Sequence, residues 1–376
     1  MTRILLVALA AVAVFTVQGA VGAGRATFYV SPTGSDGGGC TKNAPCATFD
    51  AAFRVASPGA HVVVGGGSYP PQTVNALARG GAPVVFAPAA GAKVVIADEL
   101  NVLASHAEFD DMTVSDWYVR DGATDLTFRR MKVQLFFIRS ASNIRILGGS
   151  VGGIDDASAA TIGSTYQSTV PSRRILVDGV SFHDITRKQN PSGHVQCLFV
   201  QSVDGLVIRN STFRRCDVFD VYVNNITRGP VPRNMLFENN LFDRANDGFY
   251  SLYVRNDPGD VIDGLVVRYN SFVQGAHFDE GSYAHSRIVA NVSPFQQWQC
   301  TKGIAFAHNV FDHARCGSTD RRGNLDYVDP SPFRLGLRRG APGIDAGDPR
   351  DSPRRDIRGR KRPLGKRSDA GAYENF

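Results

Sequence analysis

Outside its N-terminus, the sequence lacks any apolar run that approaches the roughly 20 residues of a membrane-spanning helix. Its 39 glycines follow no triplet period, which excludes a collagen-like chain. It has no Cys-x-x-Cys motif and no histidine cluster at metal-ligand spacing, so a structural metal site is disfavoured. What is present, 43% apolar and 10% aromatic residues over 376 positions, indicates one large globular domain or two ordinary ones.

The N-terminus has the pattern of an export signal. Arg3 precedes an apolar run from Ile4 to Val17, and Val21-Gly22-Ala23 supplies the small residues of a cleavage site. A first core helix is the alternative, but this run carries no charged residue on any face. We therefore expect residues 1–23 to be a signal peptide and the mature chain to be secreted, with no membrane contact.

The cysteines agree with an extracellular location. All six fall into three close pairs along the chain, and an oxidising compartment favours disulfides. Because six cysteines allow 15 pairings, sequential pairing is a prediction from proximity alone. The predicted pairs are Cys40 with Cys46, Cys197 with Cys216, and Cys300 with Cys316.

The net charge of +6 is concentrated near the C-terminus. Between Arg334 and Arg367 there are 12 Lys or Arg and four Asp, a local charge of +8. Such a segment attracts polyanions such as acidic polysaccharide or nucleic acid, but a solvated surface is the commoner explanation and the one we favour. Nucleic-acid binding rests on this tail alone and is not predicted.

An eight-residue pattern, apolar at positions one, three and eight, recurs through the middle of the chain. Its copies are offset by 18 to 39 residues, which are periods typical of stacked repeats. Positions three and eight are β-branched or aromatic in every copy, which indicates strands rather than helices. The copies are Ala107–Val114, Leu126–Val133, Ile144–Val151, Ile175–Phe182, Leu206–Phe213, Met235–Phe242, Leu265–Phe272 and Ile304–Phe311.

Strands that repeat without helices predict an all-β fold, a coil of short strands wound into a parallel β-solenoid. A solenoid needs capped ends. Residues Ala47 to Val55 form a predicted amphipathic helix, with Phe49, Ala52 and Phe53 on one side, that is placed to plug the first coil. The predicted organisation is a strand and capping helix at 24–58, a β-helix at 59–330, and a basic tail covering the last coil at 331–376.

Asparagine recurs near the predicted turns. It tolerates left-handed backbone geometry, and its side-chain amides can hydrogen-bond from coil to coil as a ladder. We interpret the Asn-x-Ser/Thr sequences at Asn210, Asn225 and Asn291 as turns rather than glycosylation sites. The predicted turn and ladder residues are Asn210, Asn239, Asn240, Asn270 and Asn309.

Both ends of the chain carry a recognisable pattern. It comprises Tyr29-Val30-Ser31-Pro32, Gly34, Asp36, Pro45, Ala47-Thr48, Ala51-Ala52, Pro58-Gly59 and Gly67-Ser68-Tyr69, then Ile344-Asp345-Ala346-Gly347-Asp348, Asp356, Gly359-Arg360, Arg362-Pro363 and Asp369-Ala370-Gly371-Ala372-Tyr373-Glu374. These motifs resemble those of secreted right-handed parallel β-helix proteins of the pectate-lyase-like superfamily. The resemblance implies that fold and extracellular carbohydrate work, as a lyase, hydrolase, epimerase or non-enzymatic surface protein.

The catalytic motifs of that superfamily do not transfer cleanly. Asn246-Asp247-Gly248 resembles the first acidic motif of polygalacturonase-like hydrolases, yet no paired Asp, Gly-His-Gly or Arg-Ile-Lys follows it. The characteristic arginine motif of the lyases is not evident either. Function must therefore be argued from a site rather than from the fold.

Three successive predicted coils align, at Val195–Ser202, Val218–Asn225 and Phe249–Asn256. Each of these strands has two aliphatic residues that we expect to point inward: Leu198 and Val200, Val221 and Val223, and Leu252 and Val254. Strand alternation then puts the residues between them on the outer face. An aromatic column there offers flat faces to pyranose rings, beside polar hydrogen-bonding groups. An ordinary outward face with scattered aromatics is the alternative. The three outward columns are Cys197, Asp220 and Ser251; Phe199, Tyr222 and Tyr253; and Gln201, Asn224 and Arg255.

Ionisable side chains lie in the turns that lead into these strands. His194, Asp217 and Asp247 precede their strands, while Asp279 and Glu280 arrive at a similar point of the next coil. Stacked carboxylates raise one another's pKa or capture a cation such as Ca²⁺. The alternatives are that the aspartates cap turns and that His194 is a hydrogen-bonded structural group.

Two mechanisms follow for a polysaccharide substrate. In a lyase, Arg255 or a cation neutralises a uronate carboxylate while His194 or Tyr253 removes the C5 proton. In a hydrolase, two aspartates act as acid and base. Those candidates are Asp217, Asp220 and Asp247. We predict a monomeric secreted protein that acts on a polysaccharide by elimination or hydrolysis; a non-catalytic glycan-binding or adhesion protein is the alternative.

Overall fold

A computed structural model of the chain describes residues 26–155, 157–163, 170–225, 230–243, 250–294, 300–330 and 334–375. The predicted signal peptide lies outside these residues. Within them the chain forms one short helix and 34 strands. No helix in this part of the chain is long and apolar enough to span a membrane.

Three parallel sheets form the walls of a β-helix. Sheet A contains β1 (Thr27–Val30), β2 (His61–Val64), β5 (Val84–Pro88), β7 (Ala107–Asp110), β9 (Thr124–Arg129), β11 (Ser142–Leu147), β14 (Ser172–Asp178), β17 (Val203–Arg209), β20 (Arg233–Glu238), β24 (Leu265–Arg268), β28 (Ser286–Val289) and β30 (Ile304–Ala307). Sheet B contains β3 (Gly67–Tyr69), β6 (Val94–Val102), β8 (Thr113–Val119), β10 (Lys132–Ile138), β12 (Ser150–Asp155), β15 (Ser181–Thr186), β18 (Thr212–Cys216), β21 (Leu241–Phe242), β25 (Ser271–Phe272), β29 (Val292–Ser293), β31 (Val310–Phe311) and β32 (Arg321–Arg322).

Sheet C is continuous with sheet B, because the long strands β6, β8 and β10 contribute their C-terminal ends to it. Its other strands are β4 (Gln72–Val74), β13 (Ala160–Ile162), β16 (Gln196–Val200), β19 (Phe219–Asn224), β22 (Leu252–Arg255) and β26 (Ala276–Phe278). Two short pairs complete the described strands, the parallel β23 (Val261–Asp263) with β27 (Ser282–Ala284) and the antiparallel β33 (Tyr327–Asp329) with β34 (Arg334–Leu337).

The eight predicted repeat copies fall on paired strands of sheets A and B, but one further coil separates the last two copies. Strand β28 pairs with β24 on one side and with β30 on the other. The interval of 39 residues between Leu265 and Ile304 is therefore two coils rather than one. The apolar pattern misses this coil because Ser286 and Ser293 stand where the other copies have apolar residues.

Position five of the repeat is a tight turn between sheets A and B. From Asp111 (φ 53°) to His308 (φ 59°), the residue at this position has a positive φ. Asn210 and Asn239 occupy it with φ of 53° and 54°, in keeping with the predicted tolerance of Asn for left-handed geometry. The other predicted asparagines, Asn240, Asn270 and Asn309, stand at position six instead.

At position six a ladder of buried amides runs from coil to coil. Asn270 Oδ1 accepts from both the backbone N–H and the Nδ2 of Asn240, at 2.9 and 3.0 Å. Asn270 Nδ2 also donates to the Phe237 carbonyl oxygen at 2.9 Å. The same pair of hydrogen bonds, from a backbone N–H and a side-chain Nδ2 to one Oδ1 of the next coil, continues through Asn291 and Asn309 and ends at Asp320. Every rung therefore satisfies backbone N–H groups that would otherwise be buried without a partner at this corner.

Burial also decides two of the Asn-x-Ser/Thr sequences. Asn291 is fully buried in the ladder, and Asn225 is buried with its Nδ2 donating to Asn256 Oδ1 at 2.9 Å. A buried, hydrogen-bonded amide cannot carry a glycan. Both residues are structural, as the sequence predicted.

Stacked rings fill the interior of the β-helix. On sheet A, Phe86 and Phe109 are 5.2 Å apart and nearly parallel, and Phe128 continues the stack at 5.5 Å. On sheet B a second stack has centroid spacings of 4.5 to 5.0 Å. Its members are Phe182, Phe213, Phe242 and Phe272. Such stacks form because identical positions of successive coils lie directly above one another.

The predicted capping helix is present as α1 (Phe49–Val55). Thr48 is its N-cap, with a side chain that accepts from the Ala51 backbone N–H at 3.2 Å. Phe49 stacks on Phe86 at 5.2 Å, so the helix extends the interior ring stack and closes the N-terminal end of the core. The predicted buried face, Phe49, Ala52 and Phe53, is confirmed.

The sequential disulfide pairing is confirmed for all three pairs. Cys40–Cys46 closes a loop that covers the free edge of β1, since the Tyr29 N–H donates to the Cys40 carbonyl and the Ser31 N–H to that of Cys46. Covering the edge prevents it from pairing with another chain. The remaining bridges join β16 to β18 and tie together the loops around the last coil.

The C-terminal tail packs along the side of several coils as well as against the last one. Buried Arg362 lies 4.9 Å from the Tyr269 ring and donates to the Asp369 and Gly371 carbonyl oxygens at 2.7 Å. At the last coil, Arg321 donates to the Pro342 carbonyl at 2.9 Å. The tail is thus a fixed part of the fold at the corner between sheets A and B.

Replacing Asn270 by Ala is expected to lower the free energy of unfolding by about 2–4 kcal/mol, because the Asn240 N–H and the Phe237 carbonyl lose a buried partner. Urea unfolding followed by circular dichroism measures this. The matched control is Asn324→Ala, at an exposed position. Equal, small effects of the two substitutions would contradict a stabilising ladder.

Candidate functional site

Sheet C brings the predicted aromatic column together. In-register pairing aligns Phe199 on β16 with Tyr222 on β19, and Tyr222 with Tyr253 on β22. The register continues to His277 on β26, which the sequence analysis did not single out. We call these four side chains the aromatic strip. The predicted inward residues are all fully buried: Leu198, Val200, Val221, Val223, Leu252 and Val254.

The rings of the aromatic strip follow the spacing of the coils. The centroids of Phe199 and Tyr222 are 5.4 Å apart, and those of Tyr222 and Tyr253 are 5.1 Å apart with nearly parallel planes. His277 stands edge-on to Tyr253 at 5.4 Å. Phe199, Tyr253 and His277 are partly exposed, whereas only 6% of the surface of Tyr222 is exposed. Partly exposed aromatic side chains at a repeat of one coil offer an apolar surface to consecutive sugar rings.

Two side chains cover the outer part of Tyr222. Phe219 and His194 place their ring centroids 5.2 and 5.3 Å from that of Tyr222. His194 is itself exposed, and its ring also lies 5.2 Å from that of Phe219. His194 therefore lies beside the aromatic column, where its ring contacts Tyr222 and Phe219.

A polar cluster stands at the His277 end of the aromatic strip. Asp279 Oδ1 lies 3.2 Å from His277 Nε2, and Asp279 Oδ2 accepts from the Tyr253 hydroxyl at 3.3 Å. The Tyr283 hydroxyl donates to the Asp279 backbone carbonyl at 3.1 Å and fixes the turn. One carboxylate thus orients both an imidazole and a phenol, two groups that can transfer protons to a substrate.

The environment holds the tyrosines in their protonated form. Burial, with the negative charge of Asp279 added to it, raises the pKa of the Tyr253 hydroxyl above its ordinary value. Burial likewise raises the pKa of Tyr222. At neutral pH both hydroxyls are therefore proton donors rather than bases, which argues against Tyr253 as the group that removes a proton.

The predicted polar column is only partly assembled. Asn224 pairs in register with Arg255, and both side chains are partly exposed beside the strip. Arg255 Nε donates to Asp257 at 3.1 Å, which orients the guanidinium. Gln201 is 4% exposed, so the prediction that it lies on the open outer face is wrong.

The first predicted column is not on the surface. Cys197, Asp220 and Ser251 are fully buried, and Cys197 is bonded to Cys216. The physical reason is a corner: β18 ends at Cys216 and β19 begins at Phe219, so the strands of sheets B and C pack against each other there. Strand alternation predicts exposure only for an open face.

Asp220 is the most unusual group at this corner. Its carboxyl oxygens have no hydrogen-bond partner among the described residues. Burial raises its pKa well above the ordinary value, and the nearby charge of Asp243 raises it further. A sealed carboxyl group of this kind cannot contact a polysaccharide, so the predicted catalytic role of Asp220 at the surface is not supported by its position.

The other predicted aspartates do not complete an acid–base pair in the described structure. Asp217 Oδ2 accepts from the Arg187 backbone N–H at 2.7 Å and so caps the segment that follows β15. Asp247 lies outside the described residues. The structural alternative for Asp217 therefore has direct support.

The predicted cation site finds no cluster around it. The described residues contain no group of three or more His, Cys, Asp or Glu side chains that could hold a metal ion. Asp279 is engaged by Tyr253 and His277, while Glu280 is exposed.

Four residues of the site escaped the sequence analysis. The ring of Tyr250 stacks on His277 at 4.5 Å, but Tyr250 lies before strand β22 and Asp257 lies after it, so strand alternation predicts neither residue. His277 lies in the short segment Ala276-His277-Phe278, which pairs with Leu252-Tyr253-Val254. The alternation of apolar, polar and apolar residues in this segment, which matches its burial, is the sequence signal that predicts an outward His277. Tyr283 carried no such signal.

No protein-family model and no curated protein matches the chain. Among solved structures it is similar to the pectate lyase Pel9A, with 16% identity over 94% of this chain and 97% of that one and a TM-score of 0.52. A rhamnogalacturonan lyase (12% identity, 81% and 91% covered, TM-score 0.48) and XylC in complex with xylose (9%, 93% and 98%, 0.47) are also similar. At 16% identity the likeness to the pectate lyase establishes the fold alone, and it confirms the right-handed parallel β-helix.

Replacing Asp220 by Asn is expected to raise the thermal unfolding midpoint near pH 7.5 but not near pH 4. Because the folded-state pKa of Asp220 is raised, the native protein loses stability as pH rises above the carboxyl group's ordinary value of 3.8, and Asn removes that loss. Differential scanning calorimetry at both pH values measures it. Asp98→Asn, at an exposed site with left-handed φ, controls for the lost formal charge; a pH-independent Asp220→Asn effect would contradict the assignment.

Proposed function

We propose that this chain is a secreted, monomeric protein that binds an acidic polysaccharide along the aromatic strip and cleaves it by β-elimination at a uronate. The observation that supports this most is the juxtaposition of stacked rings, Arg255 and the Tyr253–Asp279–His277 cluster on one face of sheet C. The similar folds of a pectate lyase and a rhamnogalacturonan lyase agree with this substrate class.

The aromatic strip supplies the binding surface. Sugar rings pack against the partly exposed outer surfaces of Phe199, Tyr253 and His277, which repeat at the coil spacing. Arg255, oriented by Asp257, binds the uronate carboxylate through the nitrogens that Asp257 leaves free. Neutralising that carboxylate makes the C5 proton of the uronate more acidic, which is the first requirement of elimination.

The polar cluster supplies the proton transfers. His277 is oriented by Asp279 at Nε2, so its Nδ1 is available as the base that removes the C5 proton. Tyr253, protonated at neutral pH, donates a proton to the oxygen that leaves C4 as the C4–O bond breaks and a C4–C5 double bond forms. His194, on the other side of Tyr222, is the alternative base.

Among the residues that the structure describes, the positions of the predicted carboxylates favour elimination over hydrolysis. A hydrolase needs two of them at the glycosidic bond. Asp220 is sealed in the interior and Asp217 caps a backbone N–H. The arrangement of Asp279 between a phenol and an imidazole instead suits one orienting carboxylate with two proton-transfer groups.

Replacing Tyr253 by Phe is expected to lower kcat by about 10²–10⁴-fold with little change in KM, because the ring still stacks but its proton is gone. The ultraviolet absorbance of the unsaturated product, measured over a panel of polyuronates and neutral polysaccharides, reports turnover. His277→Ala is expected to lose a similar factor.

The matched control for Tyr253→Phe is Tyr29→Phe. Tyr29 lies on β1 of sheet A rather than on sheet C and is partly exposed, so loss of its hydroxyl leaves turnover unchanged. Binding of polyuronate by the parent protein without any turnover would overturn the lyase proposal. That result would favour the glycan-binding or adhesion alternative.

Secretion is part of the proposal and rests on the N-terminal sequence and on the three disulfides, which persist in oxidising compartments. Expression of the full chain in a secreting host is expected to release protein that begins at Gly24, as determined by mass spectrometry. A Val21→Glu, Ala23→Glu variant, which removes the small residues before the cleavage site, should retain the leader. Exported protein that still carries residues 1–23 would contradict the predicted cleavage.

A further inference from the structure

A second recess lies where the C-terminal tail meets the edge of sheet A. It is a cleft of about 640 Å³, within the usual size of a site for a small ligand. Its coil side includes Arg209, Glu238 and Arg268, and its tail side includes Arg354 and Arg355. These coil residues lie on strands of sheet A, whereas the aromatic strip lies on sheet C.

The arginines on the coil side of the cleft form ion pairs, whereas those on the tail side form none in the part of the chain that the structure describes. Arg209 pairs with Asp178 at 2.8 Å, and Arg268 pairs with Glu238 and Asp351. Arg355 Nη1 donates only to a backbone carbonyl, that of Gly359 at 2.6 Å, and exposed Arg354 makes no ion pair within the described residues. The cationic groups open to a ligand are therefore those of the tail.

The tail separates its charges by depth. Its carboxylates are turned inward onto backbone N–H groups: Asp356 Oδ1 accepts from Arg358 and Arg360, and Glu374 Oε2 from Asp369. Eleven of its twelve Lys and Arg residues are exposed, and only Arg362 is buried. In a basic segment that is only solvated, the acidic side chains would not need to be bound to backbone N–H groups and kept from the surface.

The tail is also held rigidly. Arg362 is buried against Tyr269 and bonded to two carbonyl oxygens, and Asn239 Nδ2 donates to the Arg355 carbonyl at 2.8 Å. The cleft wall is consequently fixed to the coil corner rather than free to collapse. A preorganised cationic wall loses little entropy when it binds an anion.

We propose that this cleft, with the exposed tail cations around it, is a second binding site for an acidic polysaccharide, separate from the aromatic strip. The described lining residues include no aromatic ring, so neither nucleobases nor neutral sugars find a stacking platform there. Arginines suit the bidentate binding of carboxylates or sulfates on a sugar chain. The site holds the polymer while another part of the same chain reaches sheet C.

The test measures binding in a background that disables the strip, Phe199→Ala with Tyr253→Ala, so that the result does not depend on the proposed lyase activity. In this background the cleft variant combines Arg354→Gln, Arg355→Gln and Lys361→Gln; Lys361 is an exposed tail cation whose backbone bridge to Arg355 places it beside the cleft. Its matched control combines Lys42→Gln, Lys93→Gln and Lys132→Gln, which remove the same charge from exposed sites elsewhere. Isothermal titration with polygalacturonate gives Kd at two salt concentrations.

The cleft variant is expected to bind about ten-fold or more weakly than its background, while the control variant is unchanged and binding weakens with salt. Arg354→Gln alone should give a smaller loss in the same direction, which keeps the test valid if the triple variant is poorly folded. Equal losses in both triple variants, or undiminished binding in the cleft variant, would overturn the proposal. Equally tight binding of single-stranded DNA would overturn the choice of polysaccharide.

Discussion

In-register parallel pairing between successive coils is the constraint on which the rest of this structure depends. Because each strand pairs residue for residue with the strand one coil later, a residue type that recurs once per coil becomes a column. Inside, this produces the phenylalanine stacks. At the corner between sheets A and B, it produces the asparagine ladder.

The same register acts differently on the two sides of the wall. In an interior column each ring packs on the next ring, and each side-chain amide hydrogen-bonds to the next amide. The aromatic strip on sheet C is an outer column, so its stacked rings partly cover one another's faces while their outer surfaces stay partly exposed to a ligand. Stability and a repeating binding surface thus come from one geometric rule, which matches a polymer whose units also repeat.

The sequence is informative where a local pattern decides the structure. Alternation identifies the buried side chains of sheet C, and the amphipathic segment around Phe49 identifies the capping helix. It is uninformative where packing between sheets decides: Asp220 is buried by a corner that no local pattern marks. The coil around Ser286 is missed because Ser replaces an apolar residue, and His277 because its strand is short. The tail's charge is visible in the sequence, but its segregation by depth depends on the fold.

A crystal structure of the Tyr253→Phe variant with an acidic oligosaccharide tests most directly whether the aromatic strip binds the polymer. We predict sugar rings stacked on Phe199 and on the ring at position 253, with a carboxylate against Arg255 and the C5 position facing His277. An oligosaccharide bound elsewhere on the molecule, with these rings untouched, would contradict it.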